Sequence, residues 1–553
     1  MPNSTWLEVV TCAIFGIMDH GAGHKDVSHK DIEPVVRTPW GAVRGRQEGE
    51  VLAFKGIPFA VAPSGESRFL PPMTLDPWGG VLDAVNFGPI APQPAPIPAM
   101  SIAGDPVDWN EDCLFLNIWT PSLDGAKRPV MVWIHGGGFS TGSSGQVLYR
   151  GGRLAMRGDV VVVTINYRLG SFGFLAHPEL RATWPAGHAG KYYCGNWGLM
   201  DQIAALHFVR DAVAGFGGDP SNVTIFGESA GGMSVAALLV CEEARGLFHK
   251  AIIESGPPSS ISLDLAANRA ARIGEIVGVD TPSGFRERLG GIRADEIIKA
   301  DQQLGFEVTG EGAMPLAFLP VVDGGLFGTS LADLITSGET ARVPLLIGTN
   351  RDETALFSAG EILGGGLEEE KVVHRISKIL EEDTAGRVVE RYGKIRATRG
   401  EGVSPVDIWT AVSTDYVFRL PSIEVASAHM LNGLPAYVYL FDWETSFMGT
   451  SLGSCHALEI PFVFGSIEEP VVQPFAGSGP EADDLSMAMQ RAWVAFAHSG
   501  DPSCEEVGEW PAYGADRPTM ILGRERRVDY DPRGEELQVW EDVGLRPSAG
   551  YHR

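Results

Sequence analysis

The alternation of apolar and polar positions changes character near residue 33. Before it there is no sustained period; from Val35 to about Gly544 apolar segments and turn signals follow one another steadily. Three short runs in that segment, residues 129–134, 159–165 and 222–226, are almost wholly apolar instead of alternating. A strand with one solvated face shows a polar residue at every second position. Runs without that alternation suit the central strands of a parallel sheet covered by helices on both faces. Between the second and third runs, Ile203, Leu206, Val209 and Val213 recur at helical spacing within residues 199–214. After the third, the small apolar segment 230–241 again reads as a helix. Strand, helix, strand, helix predicts an α/β fold with a mostly parallel, doubly wound central sheet. Residues 343–347 and 436–441 read as further strands. The stretch between them, about 355–435, reads as helical insertions forming a cap over the sheet's carboxyl edge. The expected organisation is an N-terminal extension, 1–33, and a single domain, 34–553.

Composition narrows the function classes. With 553 residues, 44% apolar and 20% charged, the chain can bury a sizeable core, which excludes wholesale disorder. Its 43 Lys plus Arg against 70 Asp plus Glu leave a net charge of −27, the wrong sign for nucleic acid or an anionic membrane surface. No apolar run approaches the ~18 residues that span a bilayer. Residues 9–18 are apolar enough for a signal core, but Glu8 sits at their edge and no Lys or Arg precedes them, so a removed signal peptide is the lesser reading. Cys12, Cys113, Cys194, Cys241, Cys455 and Cys504 are scattered without a CxxC pair, as expected of reduced thiols in a cytoplasmic protein; secretion is the alternative. His20, His24 and His29 read as part of a loosely held terminus rather than a metal site.

Gly-x-Ser-x-Gly occurs around Ser140, Ser229 and Ser451, and in a chain with 69 glycines the pattern alone is weak. The mechanics separate the copies. A nucleophile elbow needs a strand running in, a tight turn and a helix running out. Only Gly227-Glu-Ser-Ala-Gly231 has both flanks, which singles out Ser229 over a serine that merely caps a helix. Independently, His135-Gly-Gly-Gly-Phe139 follows a predicted central strand, and consecutive glycines leave backbone N–H groups open to a developing oxyanion. Gly137, Gly138 and, just after the serine, Ala230 are the expected oxyanion-hole donors.

These segments belong to a longer series: Phe54-Lys-Gly-Ile-Pro-Phe-Ala60, Arg68-Phe-Leu-Pro-Pro72, Glu111-Asp-Cys-Leu-Phe-Leu-Asn117, Asn166-Tyr-Arg-Leu-Gly170, Gly195-Asn-Trp-Gly-Leu199, Phe216-Gly-Gly-Asp-Pro220, then the elbow. In this the chain resembles the type B carboxylesterases, the cholinesterase-like branch of the α/β-hydrolases, from about Val35 to the C-terminal region. In α/β-hydrolases an acid and then a histidine follow the serine. From the residues alone Asp352, Glu353 and Asp323 all qualify as the acid, and spacing does not separate them. The resemblance implies Glu353, with Asp352 left as a turn or hydrogen-bonding residue. Of His374, His429, His456, His498 and His552, only His456 sits in a Gly/Ser loop after a predicted strand. It also opens His456-Ala-Leu-Glu-Ile-Pro-Phe-Val-Phe464, which looks like the family's histidine motif.

The chemistry implied is serine esterase catalysis through an acyl-enzyme on Ser229, Glu353 and His456, with no metal or organic cofactor and a small-molecule ester as partner. Broad use of small to medium aryl and alkyl esters is expected. An amide or carbamate hydrolase would use the same triad. A non-catalytic cholinesterase-like binding module would lack one of these residues, and none is lacking. Two departures from secreted relatives matter. Ala91 stands where their partner for Cys113 would be, so that disulfide is not expected. No Trp occurs at 101–108, where cholinesterases hold choline by cation–π contact, and Trp109 reads as packing or pocket wall. Glu228, beside the serine, reads either as tuning a nearby charge or as satisfying local hydrogen bonds. Phe318, Phe357, Phe418 and Phe447 are candidates for an apolar pocket, or ordinary core.

Overall fold

Eleven strands form the central sheet: β1 (Arg46–Glu48), β2 (Val51–Pro58), β3 (Phe115–Thr120), β4 (Arg128–Ile134), β5 (Val161–Ile165), β6 (Gly218–Glu228), β7 (Lys250–Glu254), β8 (Leu345–Asn350), β9 (Ala436–Phe441), β10 (Pro518–Leu522) and β11 (Arg526–Tyr530). Across the sheet they lie in the order β11-β10-β9-β8-β7-β6-β4-β5-β3-β2-β1. The run from β10 to β5 is parallel throughout, and antiparallel pairs are confined to the two ends. The computed structural model describes residues 33–95, 104–279, 284–308, 316–364, 366–447 and 450–544, without the side chains of 446–450. Most of the expected N-terminal extension, with Cys12, His20, His24 and His29, lies outside these residues, as do His552 and the side chain of Phe447.

The doubly covered sheet follows from the apolar runs. Along β4, Val130, Val132 and Ile134 enter one buried cluster, while Met131 and Trp133 enter another. On β5, Val161, Val163 and Ile165 divide from Val162 in the same way. Side chains alternate across a strand, so a run that is apolar at every position must have a core on each side. The connections between parallel strands include α1 (Trp197–Ala212), α2 (Ala230–Val240), α3 (Ala294–Val308), α4 (Ala359–Leu363), α5 (Glu369–Ile376), α6 (Glu382–Thr398), α7 (Pro405–Thr414), α8 (Leu420–Leu431) and α9 (Pro480–Ser499). The helices from α4 to α8 are the expected insertions. Val372, Val388, Tyr392, Trp409 and Phe418 belong to a third apolar cluster of their own, which also takes in Trp540.

The long motifs are mostly braces. Arg168 is buried and grips Asp201 of α1 with Nε at 2.8 Å and Nη2 at 2.7 Å, while its Nη1 reaches the Leu70 carbonyl at 2.7 Å. Arg68 pairs with Glu111 and donates to the carbonyls of Gly290 and Ile292. Asn117 donates to Ser144 Oγ and Thr164 Oγ1 at 2.9 and 3.0 Å. A buried charge is tolerable only when paired and hydrogen-bonded, as Arg168 and Arg68 are.

Strand β7 escapes the sequence reading because its five residues begin with Lys250 and end with Glu254, both buried here. Strands β2 and β3 escape it because they lie in the antiparallel flank, and β2 carries Lys55, Gly56 and an irregularity between Phe54 and Ile57. Trp109 is 40% exposed and is joined to the fold by an isolated bridge to Ile90.

Candidate active site

Ser229 stands between the end of β6 and the start of α2 with φ 57° and ψ −124°. A residue with a Cβ in that region carries roughly 1–3 kcal/mol of strain, which the surroundings must impose. They do: the Ser229 N–H donates to the Glu254 carbonyl at 3.0 Å, and its own carbonyl accepts from Met233 N–H at 2.8 Å. The glycines of the elbow are there for contact. A Cβ on Gly231 would lie 1.9 Å from the Ile134 carbonyl oxygen, so the start of α2 presses on the very end of β4. The next residues of that strand are the glycine loop.

Loop and elbow touch directly. A Cβ on Gly136 would meet Glu228 Oε2 at 3.0 Å and Ser229 Cβ at 3.1 Å. Among the described residues, the N–H groups of Gly137, Gly138 and Ala230 donate to no backbone acceptor, the state needed to receive an oxyanion. His135 is buried, which lowers its pKa to about 4 and keeps the ring neutral. Its Nδ1 lies 2.8 Å from the Gly136 carbonyl, so the neutral tautomer donates there. The ring stacks on Tyr167 with centroids 4.4 Å apart, and the Tyr167 hydroxyl donates to the His135 carbonyl at 2.7 Å.

The three candidate acids part company. Glu353, fully buried after β8, has Oε2 2.6 Å from His456 Nδ1. Its Oε1 accepts from Ser255 Oγ at 2.6 Å and from Asn350 N–H at 2.8 Å. Asp352 instead accepts from Ser454 N–H and from Arg351 Nε, both at 2.9 Å, the hydrogen-bonding part expected of it. Asp323 accepts from the amides of Cys194, Gly325, Leu326 and Phe327. Among the other histidines, His374 is exposed, His429 bonds the Val343 carbonyl and His498 that of Gly158.

The second ring nitrogen of His456 has no hydrogen-bond partner among the described residues, so a bond from the Ser229 hydroxyl to Nε2 is not formed in this state. Its acidic neighbour is Glu228, with Oε1 3.1 Å away and likewise without a hydrogen bond. The Ala457 backbone amide also acts on Glu228, so both readings of this residue have a contact behind them. Burial would lower the His456 pKa, but Glu228 and Glu353 outweigh it and raise it to about 9. Burial pushes Glu228 well up in turn, and Glu459, buried beside Glu353, is raised to about 7 by the same cause. Glu228, Glu353 and Glu459 are thus buried around one histidine, with Glu254 buried beside Glu228 and Glu459.

Two aromatic rings lie against His456. Phe357 and Phe418 lie 5.2 and 5.0 Å from the His456 ring; Phe418 is buried and Phe357 half exposed, while Phe318 is simply buried. A cavity of about 260 Å³ opens beside the loop, lined by Gly137, Gly138, Ile298, Leu316, Ala317 and Asp301 among others.

The carboxylesterase family pattern matches residues 32–540. The para-nitrobenzyl esterase of Bacillus subtilis is 38% identical over 520 residues, covering 93% of this chain and 99% of its own. A liver carboxylesterase of Sus scrofa is 34% identical over 553 residues, covering 93% and 94%. Among solved structures, a PNB esterase superposes with a TM-score of 0.80 at 37% identity, over 92% of this chain and 99% of the other. The chain belongs to the carboxylesterase family. It is a carboxylic ester hydrolase with the α/β-hydrolase fold. In this esterase Cys113, Cys194, Cys241, Cys455 and Cys504 are all free thiols, and no helix among the described residues is long and apolar enough to cross a membrane.

Sequence reasoning passed over Ser255, Asn350 and Glu459, which surround Glu353. Glu459 was visible inside the His456–Phe464 motif. Ser255 had no such signal, because the strand before it begins with Lys250 and ends with Glu254.

Proposed function

We propose that the esterase works through Ser229 as nucleophile, His456 as general base and acid, and Glu353 as the group that orients the ring. One observation carries this reading. A serine held in a strained strand-to-helix turn faces a loop of unpaired amides, and His456, bonded at 2.6 Å to buried Glu353, lies over the adjoining residue Glu228. When an ester enters, His456 Nε2 takes the Ser229 proton as Oγ bonds to the carbonyl carbon. The carbonyl oxygen becomes the oxyanion held by Gly137, Gly138 and Ala230, each such donor contributing about 3 kcal/mol in the transition state. The imidazolium, stabilised by Glu353, gives its proton to the departing alcohol. Water repeats the sequence on the acyl-enzyme, releases the acid and restores Ser229. In resting enzymes the serine–histidine bond is often loose and tightens only on substrate, consistent with the unpartnered Nε2.

The cavity beside the loop, apolar on the side of Ile298, Leu316 and Ala317, fits small to medium aryl and alkyl esters. Free buried cysteines, Cys113 among them, with Ala91 in place of a bridging partner, support a cytoplasmic enzyme. The test is kcat/KM over p-nitrophenyl esters of increasing acyl length, with Ser229→Ala as control. Expected are turnover of the short and medium esters and a loss of at least about 10³-fold in the control. Full activity in the control would refute the assignment. Turnover of an aryl amide with no ester cleaved would refute the substrate class.

A further inference from the structure

The glycine loop is tied at its start by β4 and by Tyr167, and inside by the bonds from Ser140 and Thr141 N–H to the Gly137 carbonyl at 3.1 and 3.0 Å. Its far end is held differently. At Gly142 the Gln93 carboxamide makes a two-way clasp: Gly142 N–H donates to Oε1 at 2.9 Å, and Nε2 donates to the Gly142 carbonyl at 2.8 Å. The other amide hydrogen goes to the Ala91 carbonyl at 3.1 Å, which fixes the plane of the amide. Among the described residues, Gly142 has no backbone hydrogen bond. It also lies directly against the start of the loop. At φ +109° a Cβ there would meet His135 Nδ1 at 2.4 Å and the Gly136 carbonyl oxygen at 2.5 Å. A displacement of Gly142 therefore reaches the residue before Gly137. Gln93 also lines the cavity beside Gly137 and Gly138.

We propose that Gln93 is a positioning residue for the oxyanion hole, holding the Gly137 and Gly138 amides in line with the developing charge by clasping Gly142. The proposal rests on the oxyanion role given to these glycines above. A carboxamide suits the task because it presents one acceptor and one donor side by side, matching the C=O and N–H of a single peptide segment. An ionised carboxylate of the same shape would still accept from the N–H but would set a negative charge against the carbonyl.

Two variants test this, Gln93→Ala and Gln93→Glu. In Gln93→Ala, kcat falls by about 10- to 100-fold while KM moves by less than about threefold, because the amides act mainly on the transition state. A trifluoromethyl ketone, to which Ser229 adds to form a hemiketal oxyanion, binds more weakly by the same factor; the product alcohol binds as before. In Gln93→Glu the ratio of variant to parent activity falls as pH rises through titration of the new carboxyl, since only its protonated form reproduces the clasp. Unchanged kcat in the alanine variant would overturn the proposal, as would a ratio flat with pH in the glutamate variant. If instead the parent enzyme bound the ketone no more tightly than the alcohol, the oxyanion reading itself would fail. The glutamate variant keeps the side chain's shape, so the test survives if the alanine variant does not fold.

Discussion

At His456 two electrostatic effects oppose each other. Burial favours the neutral ring, while Glu228 and Glu353 favour the cation and carry the pKa up to about 9. A general base must be unprotonated to act, so kcat/KM should climb with pH along an acid limb whose midpoint lies above the ordinary 6.5 of histidine. Replacing Glu228 by Gln removes one of the attracting charges, and the limb should move to lower pH. The check is kcat/KM against pH for a p-nitrophenyl ester in both proteins; coincident midpoints would show that Glu228 does not tune the ring. Gly231 makes a steric counterpart. A Cβ 1.9 Å from the Ile134 carbonyl forces the backbone apart where elbow and glycine loop meet. Misplacement by an ångström can cost about 100-fold, so Gly231→Ala should lose at least that much kcat, measured on folded protein.

The elements are locked together by the segment that follows His456. Phe464, fully buried, stacks on Phe226 of β6 with centroids 5.5 Å apart and meets Trp133 of β4 edge-on at 5.0 Å. The strand leading to Ser229, the strand leading to the glycine loop and the segment after His456 therefore share one aromatic cluster. Phe464→Ala should destabilise the protein by about 3–5 kcal/mol, read from urea unfolding, and should lower kcat as the histidine loop loosens. Phe464→Leu, which leaves a smaller void, should cost less on both counts. A variant as stable as the parent would mean that the histidine loop is held by its hydrogen bonds instead, those of Ser454 with Asp352 and Phe441, of Cys455 with Asn350 and of His456 N–H with the Glu353 carbonyl.

For the molecule as a whole, the three apolar clusters, the buried pair Arg168–Asp201 and the part-buried pair Arg68–Glu111 hold a fold whose five described cysteines are all free. A disulfide contributes about 2–4 kcal/mol by restricting the unfolded chain, and the described residues hold none to remove. Thermal unfolding and activity should therefore be the same with and without a thiol reductant. A fall in Tm on reduction would reveal a bridge. The helices from α4 to α8, with their own core around Tyr392 and Trp409, bring Phe418 over the histidine.

Short stretches of the chain encode the local features. The apolar runs required a sheet covered on both faces, and the elbow and glycine loop could be read because strand, turn and helix are neighbours along the chain. The order of residues left Asp323, Asp352 and Glu353 equal as acids; only the family motif preferred one. Tertiary structure decided where each carboxylate points. Parallel pairing of β8 with β9 brings the loops after both strands to one edge, so Glu353 meets a histidine 103 positions away while its neighbour Asp352 turns to Ser454. Ser255, Glu459 and Gln93 acquired their parts in the same way, through contacts between distant segments that no local spacing announces. Hydrogen bonds and burial depend on separation in space, and only the packed sheet relates that to separation along the chain.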